Sequence, residues 1–269
     1  MKSISQNKLQ QLRHLLKDLK SCAIAYSGGV DSTFLIKVAY DTLGEKALAV
    51  TATSSIYPKR ELEDAKRYAQ EIGIPHIIFH SEELDIPEFL DNSYDRCYYC
   101  KKELLNKLQE IAKEYHLHAV IDGSNADDIL DYRPGVRALN ELGIKSPLKE
   151  VGLTKQEIRQ LSIAMHLKSS GKPAFACLAS RVPYGVKITR ERLKQVETAE
   201  EYLFSLGIRQ CRVRYHDYIA RIEVPLEEIP MIFTNSKAII TRFKTLGFIY
   251  ITLDLEGYRT GSLNEVLDL

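Results

Sequence analysis

The sequence is short of cysteine, of net charge and of long apolar runs. Its 269 residues contain 5 cysteines and carry a formal net charge of +1. No apolar run reaches membrane-spanning length, and the first twenty residues lack the apolar stretch of a signal peptide. We therefore expect a cytoplasmic protein with no membrane partner, in which so few cysteines argue against a disulfide framework. The balanced charge argues against a dedicated nucleic-acid-binding protein, and no nucleic-acid partner is expected.

Apolar runs alternate with amphipathic segments over residues 22–150. The runs predict buried strands, and the amphipathic segments predict helices between them. The strands are expected at 22–26, 46–55, 75–81, 118–124 and 143–149, and the helices near 32–43, 59–72 and 99–115. This alternation predicts the α/β class, with a parallel doubly wound sheet whose ligands bind beyond the carboxyl ends of the strands.

A different pattern follows a segment rich in Gly, Pro, Ser and Lys at residues 168–189. We interpret that segment as a linker that also carries function. The rest of the chain predicts a smaller α+β domain, with helices near 190–206 and 226–245 and strands near 209–216, 218–224 and 247–254. We therefore expect an N-terminal domain over 1–167 and a second domain over 168–269, which includes the linker loop.

The stretch "AIAYSGGVDSTFLIKVAY" (23–40) predicts a strand, a tight turn and a helix. Gly28 and Gly29 permit backbone N–H groups to point at one spot, and the helix N-terminus adds its positive dipole end. Ser27 and Ser32 add hydroxyl donors. These features predict a cradle for pyrophosphate, and Asp31 suits such a cradle only with an accompanying cation, which suggests Mg²⁺. The alternative is a plain strand–turn–helix with a capping serine.

The hexapeptide S-G-G-V-D-S resembles the signature of the PP-loop ATP pyrophosphatases. Those enzymes activate a carboxylate or carbonyl oxygen by adenylation and release pyrophosphate. "DGSNADD" (122–128) follows a predicted strand and resembles a second block found in several of them, and the alternative is an Asx-rich turn. The resemblance implies that the N-terminal domain binds ATP with Mg²⁺.

Three thiols are candidates for chemistry, and the alternative for Cys177 is a buried structural cysteine. Cys97 and Cys100 form a C-x-x-C pair at the start of a predicted helix, and Cys177 lies in a Pro-flanked loop, four residues before Arg181. A nearby guanidinium favours a thiolate. If the three thiols meet, they could hold a [4Fe–4S] cluster with one open iron, or zinc with an open position. Cys22 and Cys211 each begin a predicted strand, and we expect both to be structural.

Strict alternation marks "CRVRYHDYIARIEV" (211–224) as a hairpin with one polar face. Arg212, Arg214 and His216 share that face on the first strand, and Arg221 and Glu223 extend it on the second. Several cations on one rigid face suit a phosphate, which arginine can grip in a bidentate manner. The alternative is a solvated face with cross-strand ion pairs.

From the phosphate loop nearly to the C-terminus, the chain resembles the LarE family. The motifs are "DYRPGVRA" (131–138), "SRVPYG" (180–185), "RVRYHDYIARIEVP" (212–225) and "LGFIYITLDLEGYRTGSLN" (246–264). The resemblance implies an ATP-dependent sulfur transferase that adenylates a carboxylate of pyridinium-3,5-biscarboxylate mononucleotide and replaces its oxygen with sulfur, in biosynthesis of the nickel-pincer nucleotide cofactor of lactate racemase. In one branch the cysteine that matches Cys177 gives up its own sulfur. In another branch three cysteines hold an iron–sulfur cluster that carries an extra sulfide.

Cys97 and Cys100 place this sequence with the three-cysteine branch, so the implied catalytic and cluster-binding residues are Cys97, Cys100 and Cys177. The resemblance also implies that Arg212 and Arg214 bind the substrate phosphate. Glu200 and Glu223 would be nearby acidic groups, able to hold a cation. The remaining substrate-binding candidates are Ser180, Arg181 and Arg259. Related enzymes form trimers or hexamers, so we expect a homo-oligomer.

Three other functions remain open on the sequence. A tRNA thiolase would share the phosphate loop and a three-cysteine cluster, although the balanced charge and the lack of further C-x-x-C zinc motifs argue against it. An ammonia-using synthetase would not need the three thiols. A non-catalytic nucleotide-binding module would use only the cradle.

Overall fold

The computed structural model describes residues 4–81, 83–130, 134–173 and 176–267, which form two compact units. The N-terminal unit consists of Met1–Glu83 and Asp95–Phe175, and the C-terminal unit consists of Leu84–Tyr94 and Ala176–Leu269. The domain boundary expected at residue 168 stays a prediction. The first three residues of the "DYRPGVRA" motif, 131–133, and residues 174–175 of the linker lie outside the described residues.

The N-terminal unit alternates strands and helices in the order expected. Its strands are β1 (Cys22–Ala25), β2 (Ala47–Thr53), β3 (His76–His80) and β4 (Ala119–Ile121). Its helices are α1 (Ile4–Leu19), α2 (Val30–Leu43), α3 (Lys59–Ile72), α5 (Arg96–Glu114), α6 (Gly135–Glu141), α7 (Pro147–Glu150) and α8 (Lys155–Ala164), while α4 (Pro87–Leu90) belongs to the C-terminal unit.

The four strands form one parallel sheet in the order β3-β2-β1-β4. In its central register, Ile24 of β1 lies opposite Ala49 of β2 and Ile121 of β4. The strands are nearly continuous apolar runs because helices cover the sheet, and Ile24 and Ile121 are fully buried. The predicted α/β class with a parallel sheet is confirmed.

The lead-in helix α1 packs into the same core as β1 and α2. Leu9, Leu12, Leu16 and Leu19 recur at helical spacing and are buried. They pack in one cluster with apolar side chains of α2, among them Phe34. This packing fixes the start of α2, where the phosphate loop ends.

The expectation of a fifth strand at residues 143–149 is wrong. That segment makes only an isolated bridge, between Ile121 and Lys145. Pro147 then stands at the first turn of α7, and Leu148 is buried in the core. Proline supplies no backbone N–H to a sheet ladder but suits the first turn of a helix, which explains the difference.

The C-terminal unit combines a helix-rich layer with a three-stranded sheet. Its further helices are α9 (Arg190–Ser205), α10 (Ile229–Thr234) and α11 (Ser236–Thr245), and its strands are β5 (Arg212–His216), β6 (Ile219–Glu223) and β7 (Tyr250–Leu253). β5 and β6 form an antiparallel hairpin, and β7 adds to β6 in parallel. Where one helix is expected over 226–245, the structure has two, α10 and α11, which are separated at Asn235.

The C-terminal unit also includes residues 84–94, although they lie far from the rest of it in the sequence. The Asn92 side-chain amide donates to the backbone carbonyls of Val182, Pro183 and Val186, at 3.3, 2.7 and 2.9 Å. Gly185 N–H donates back to the Asn92 carbonyl at 3.1 Å.

Within the described ranges, no helix is both long enough and apolar enough to cross a bilayer.

Candidate active site

The phosphate loop lies between β1 and α2 and is shaped by close backbone approach. Gly28 has φ +66°, and a Cβ at this position would lie 2.9 Å from Cα of Ala65 on α3. Only glycine fits both the left-handed conformation and the contact. The Ser27 N–H donates to Oγ of Ser32 at 3.3 Å, and the two hydroxyls lie 3.2 Å apart. The two serines that the sequence predicts as phosphate ligands are thus brought together.

Asp31, in the first turn of α2, joins the loop to the "DGSNADD" segment and to α8. Its Oδ2 accepts from Lys155 Nζ at 2.5 Å and from the Asn125 side-chain amide at 3.2 Å. Its Oδ1 is buried and has no hydrogen-bond partner among the described residues. A buried carboxylate oxygen without a donor is costly, and a bound cation would satisfy it. This feature suits Mg²⁺ beside a nucleotide phosphate.

Asp122 anchors the same segment beneath the loop. Its carboxylate accepts from the hydroxyls of Ser124 and Ser146, at 2.7 and 2.6 Å, and lies 3.4 Å from Lys101 Nζ. Burial alone would raise the pKa of Asp122, but Lys101 and the two hydroxyls outweigh it and lower that pKa. The segment is therefore held rigidly by an ionised carboxylate, which brings Gly123 against the backbone of Ser32.

Sequence reasoning missed a buried lysine below the loop. Lys172 lies 2.8 Å from Oε2 of Glu61 and 2.8 Å from Oδ2 of Asp64, both on α3. Its Nζ also donates to the Gly28 carbonyl at 3.3 Å. The residue looks like part of a solvated linker in the sequence, and only its acidic partners on the distant helix α3 reveal a structural role. Lys155 was missed because its partner, Asp31 of α2, lies far from it in the sequence.

Cys97 and Cys100 lie in the first two turns of α5, at the start of the helix as expected, although α5 begins at Arg96 rather than near residue 99. Cys97 is exposed and Cys100 is partly buried. The Cys100 thiol donates to Oε1 of Glu83 at 3.9 Å. The positive end of a helix favours thiolates at such positions.

Cys177 belongs to the C-terminal unit, where it immediately precedes a short 3₁₀ helix, Leu178–Arg181. Arg181 is almost completely buried, and its guanidinium donates to the carbonyls of Ala176 and Cys177 at 2.8 and 3.0 Å. The same guanidinium makes a bidentate pair with Glu200 of α9, at 2.8 and 2.9 Å. Arg181 therefore fixes the backbone around Cys177.

Burial and neighbouring charges both shift the pKa values of Glu200 and Arg212. Burial would raise the pKa of Glu200, but Arg181 outweighs it and holds that pKa below its usual value. For Arg212, burial and the nearby Arg181 together lower the guanidinium pKa. The Arg212 guanidinium lies 5.2 Å from the centre of the Tyr258 ring and donates to the Cys211 carbonyl at 2.8 Å. Glu200 is thus a carboxylate between two buried guanidinium groups.

The hairpin face predicted from alternation is present, and its Arg212, Arg214 and Glu223 are buried. Arg214 makes a bidentate pair with Glu223, at 2.9 and 2.7 Å, and donates to the Ser180 carbonyl at 2.8 Å. Glu223 is completely buried and also accepts from Arg221 and Ser262. Arg259, the last anion-binding candidate, is held by Asp254, Glu256 and Glu265.

Ser180, Arg181, Glu200, Arg212, Arg214 and Glu223 thus lie in one network of the C-terminal unit, beside the Cys177 loop. Cys97 and Cys100 belong to the other unit, so a ligand set of all three cysteines stays a prediction. Throughout the described part of the chain, no group of three or more His, Cys, Asp or Glu side chains is placed to hold a metal ion. Cys22 and Cys211 are buried, consistent with a structural role.

Comparison with known proteins gives relatives that span nearly the whole chain. An uncharacterized protein of Synechocystis sp. is 47% identical over 264 residues, which cover 97% of this chain and 98% of the relative. The pyridinium-3,5-bisthiocarboxylic acid mononucleotide synthase of Lactiplantibacillus plantarum is 38% identical over 253 residues, 94% of this chain and 92% of the synthase. No model of a protein family matches the chain.

A more distant relative matches part of the chain. One subunit of the glutamine-hydrolysing GMP synthase of Saccharolobus solfataricus is 28% identical over 208 residues, 71% of this chain and 56% of that subunit. This relation agrees with the parallel sheet and the loop geometry. The identity with the synthase over almost its full length shows that the protein belongs to the LarE family of ATP-dependent enzymes, within the PP-loop ATP pyrophosphatases.

Proposed function

We propose that the protein is an ATP-dependent sulfur transferase that converts carboxylates of pyridinium-3,5-biscarboxylate mononucleotide into thiocarboxylates. The observation that carries this proposal is the 38% identity, over 94% of the chain, with a synthase named for the bisthiocarboxylic acid mononucleotide. Through that product, the activity belongs to biosynthesis of the nickel-pincer nucleotide.

The cradle at residues 27–32 binds the β- and γ-phosphates of ATP in this proposal. The backbone N–H groups around Gly28 and Gly29 and the hydroxyls of Ser27 and Ser32 donate to the phosphate oxygens. Asp31 would hold Mg²⁺, since its Oδ1 is buried and has no partner among the described residues. When bound, Mg²⁺ neutralises charge that develops on pyrophosphate as it leaves.

The reaction proceeds by activation and substitution. A carboxylate oxygen of the substrate attacks the α-phosphorus, and the bond from that phosphorus to pyrophosphate breaks. Sulfide then attacks the acyl carbon, and AMP departs with the former carboxylate oxygen. The product has one sulfur in place of one oxygen, and no electrons are transferred to or from the substrate.

The C-terminal unit binds the substrate nucleotide. We assign its phosphate to Arg212 and Arg214, which lie two positions apart on one face of β5. Glu200 makes a bidentate pair with Arg181, and Glu223 makes one with Arg214, so the two carboxylates hold these guanidinium groups in place. Ser180 and Arg181 shape the loop that presents Cys177, and Arg259 lies at the end of the same unit.

Cys97, Cys100 and Cys177 would hold a [4Fe–4S] cluster. Thiolates are the ligands that such clusters require, and three of them suit a cluster with one open iron. The exposed and partly buried positions of Cys97 and Cys100 at a helix N-terminus fit this donor role. When bound, the cluster would supply the sulfide that replaces the oxygen, so that Cys177 keeps its own sulfur.

The test is anaerobic turnover of cluster-reconstituted protein with ATP, Mg²⁺, the biscarboxylate nucleotide and sulfide. We expect stoichiometric pyrophosphate release and a nucleotide that is heavier by the difference between sulfur and oxygen, over many turnovers. Intact-mass analysis should show unchanged Cys177. Pyrophosphate release without sulfur incorporation would leave an adenylating enzyme with another acceptor and refute the sulfur-transfer step.

A sacrificial mechanism gives a different result in the same experiment. Donation by Cys177 itself would stop after one turnover and leave the protein lighter by one hydrogen sulfide. Activity that survives in a Cys97→Ala, Cys100→Ala double variant would then assign the sulfur to Cys177. A shift assay with tRNA addresses the thiolase alternative, for which binding is not expected.

A further inference from the structure

Two tyrosines of the C-terminal unit form an aromatic pair that the proposed reaction does not use. The ring of Tyr94, at the end of the 84–94 segment, lies 4.9 Å from the ring of Tyr184 between centroids, with the two planes at 58°. Tyr184 is partly buried, whereas Tyr94 is 53% exposed. A tyrosine that is open to water over half of its surface contributes little to a core, but it offers an aromatic face to a ligand.

Hydrogen bonds on both sides hold this pair in place. The Tyr184 hydroxyl donates to Oδ1 of Asn264 at 3.0 Å. Two positions before Tyr94, the Asn92 amide donates to backbone carbonyls within residues 182–186, the loop that contains Tyr184. The two rings are therefore preorganised, so a ligand that stacks on them need not order them first.

The same two segments that hold Tyr184 also hold Arg214. The Arg214 guanidinium donates to the Ser180 carbonyl and to the Ser262 hydroxyl, each at 2.8 Å. Ser180 lies four residues before Tyr184, and Ser262 lies two residues before Asn264 in one 3₁₀ helix, Ser262–Leu267. Two residues of such a helix rise by about 4 Å, so the tyrosine pair is a close neighbour of the proposed phosphate site.

We infer that Tyr94 and Tyr184 form a stacking platform for the pyridinium ring of the nucleotide whose phosphate binds Arg212 and Arg214. A pyridinium ring has a quaternary nitrogen and is electron-poor, whereas the face of a phenol ring is electron-rich, so the two attract each other as a cation–π pair. The platform selects nucleotides with a cationic ring, and the arginines select the phosphate. This inference rests on the proposed function, because it names the side chains that hold the ring of the proposed substrate.

The experiment is calorimetric titration of the full-length protein with two probes. Nicotinic acid mononucleotide has a pyridinium ring and the phosphate, and ribose 5-phosphate has the phosphate without a ring. We expect the wild-type protein to bind both probes, the nucleotide more tightly. Tyr94→Ala should weaken binding of the nucleotide by about 3- to 30-fold, the range for a cation–π contact, and leave the affinity for ribose 5-phosphate unchanged.

Three further variants separate stacking from other effects. Tyr94→Phe keeps the aromatic face and should bind the nucleotide as the wild type does. Tyr94→Leu keeps apolar bulk without that face and should be as weak as Tyr94→Ala. Tyr115→Ala removes a comparably exposed ring, at 51%, from the N-terminal unit and should leave both affinities unchanged.

The outcomes distinguish the platform from the proposed function. Unchanged nucleotide affinity in Tyr94→Ala, with ribose 5-phosphate still bound, would overturn the platform and leave the phosphate assignment intact. An equal loss for both probes would mean a purely structural role for Tyr94 and would also overturn it. Failure of the wild-type protein to bind either probe would refute the proposed nucleotide site, and the platform with it.

Discussion

At the scale of single residues, the phosphate loop depends on side chains that meet it from distant parts of the chain. Gly28 is required by a contact with Ala65, and Asp31 is held by Lys155 and Asn125. Lys172 binds the Gly28 carbonyl while two carboxylates neutralise it. The loop is thus preorganised before any nucleotide arrives, which is the condition for electrostatic stabilisation without reorganisation.

Asp31→Ala should lower ATP-dependent pyrophosphate release by roughly 100-fold or more, the scale for loss of a single preorganised electrostatic group. The fold should be retained, since Asp31 lies in the first turn of α2 and the apolar core residues of that helix are unchanged. Pyrophosphate release and far-UV circular dichroism measure the two outcomes. Asp41→Ala removes an exposed carboxylate paired with Lys37 at the other end of the same helix, and it should leave the rate unchanged. Equal rates in the two variants would contradict the assignment of Asp31.

At the scale of elements, the β5–β6 hairpin carries its charges inward. The alternation of Arg212, Arg214 and His216 correctly predicts one polar strand face, but it does not indicate whether that face meets solvent. In the structure, Arg214 is 5% exposed and Glu223 is fully buried. The hairpin is therefore a structural ion-pair network as well as the proposed phosphate site.

Arg214→Ala should lower the free energy of unfolding by about 3 kcal/mol, because it leaves the buried Glu223 carboxylate without its bidentate partner. This value is the lower end of the range of about 3–5 kcal/mol for breaking a buried ion pair. The lower end applies because Arg221 and Ser262 still donate to Glu223. Urea unfolding at neutral pH measures the loss. The exposed Arg242→Ala on α11 should change stability by no more than about 0.5 kcal/mol. The double variant Arg214→Met, Glu223→Leu should recover most of the loss, and a double variant as unstable as Arg214→Ala would show that the buried charge is not the cause.

At the scale of the whole molecule, the proposed functions divide between the two compact units. The ATP cradle lies in the N-terminal unit, and the network that includes Arg212 lies in the C-terminal unit. Because the two sites are built from separate sets of side chains, a change in one should leave ligand binding by the other nearly intact.

Arg212→Ala should weaken binding of the substrate nucleotide by about 1.5–3 kcal/mol, the range for hydrogen bonds to charged groups. ATP affinity should barely change. Calorimetric titration with each ligand separates the two effects, and Arg212 suits this test better than Arg214, whose removal also affects stability. Loss of ATP affinity with unchanged substrate affinity would mean that the roles of the two units are misassigned.

The sequence was sufficient for features that depend on local pattern. Strand–helix alternation predicted the parallel sheet, and the Gly-Gly turn between β1 and α2 predicted the cradle, because backbone freedom and periodicity are written in neighbouring residues. The helix that begins near Cys97 and Cys100 and the hairpin within residues 211–224 were predicted for the same reason. The error at residues 143–149 arose where an apolar run contains Pro147, which begins a helix instead of extending the sheet.

Only the tertiary structure decided which charges meet and which are buried. Lys172 and Lys155 reach the loop from beyond residue 150, and Glu83 reaches Cys100 from before its helix. Asn92 draws residues 84–94 into the C-terminal unit through hydrogen bonds to residues 182–186. Such pairings join positions far apart in the chain. Their energy depends on burial and on the geometry of both partners, and neither can be obtained from the residues next to them in sequence.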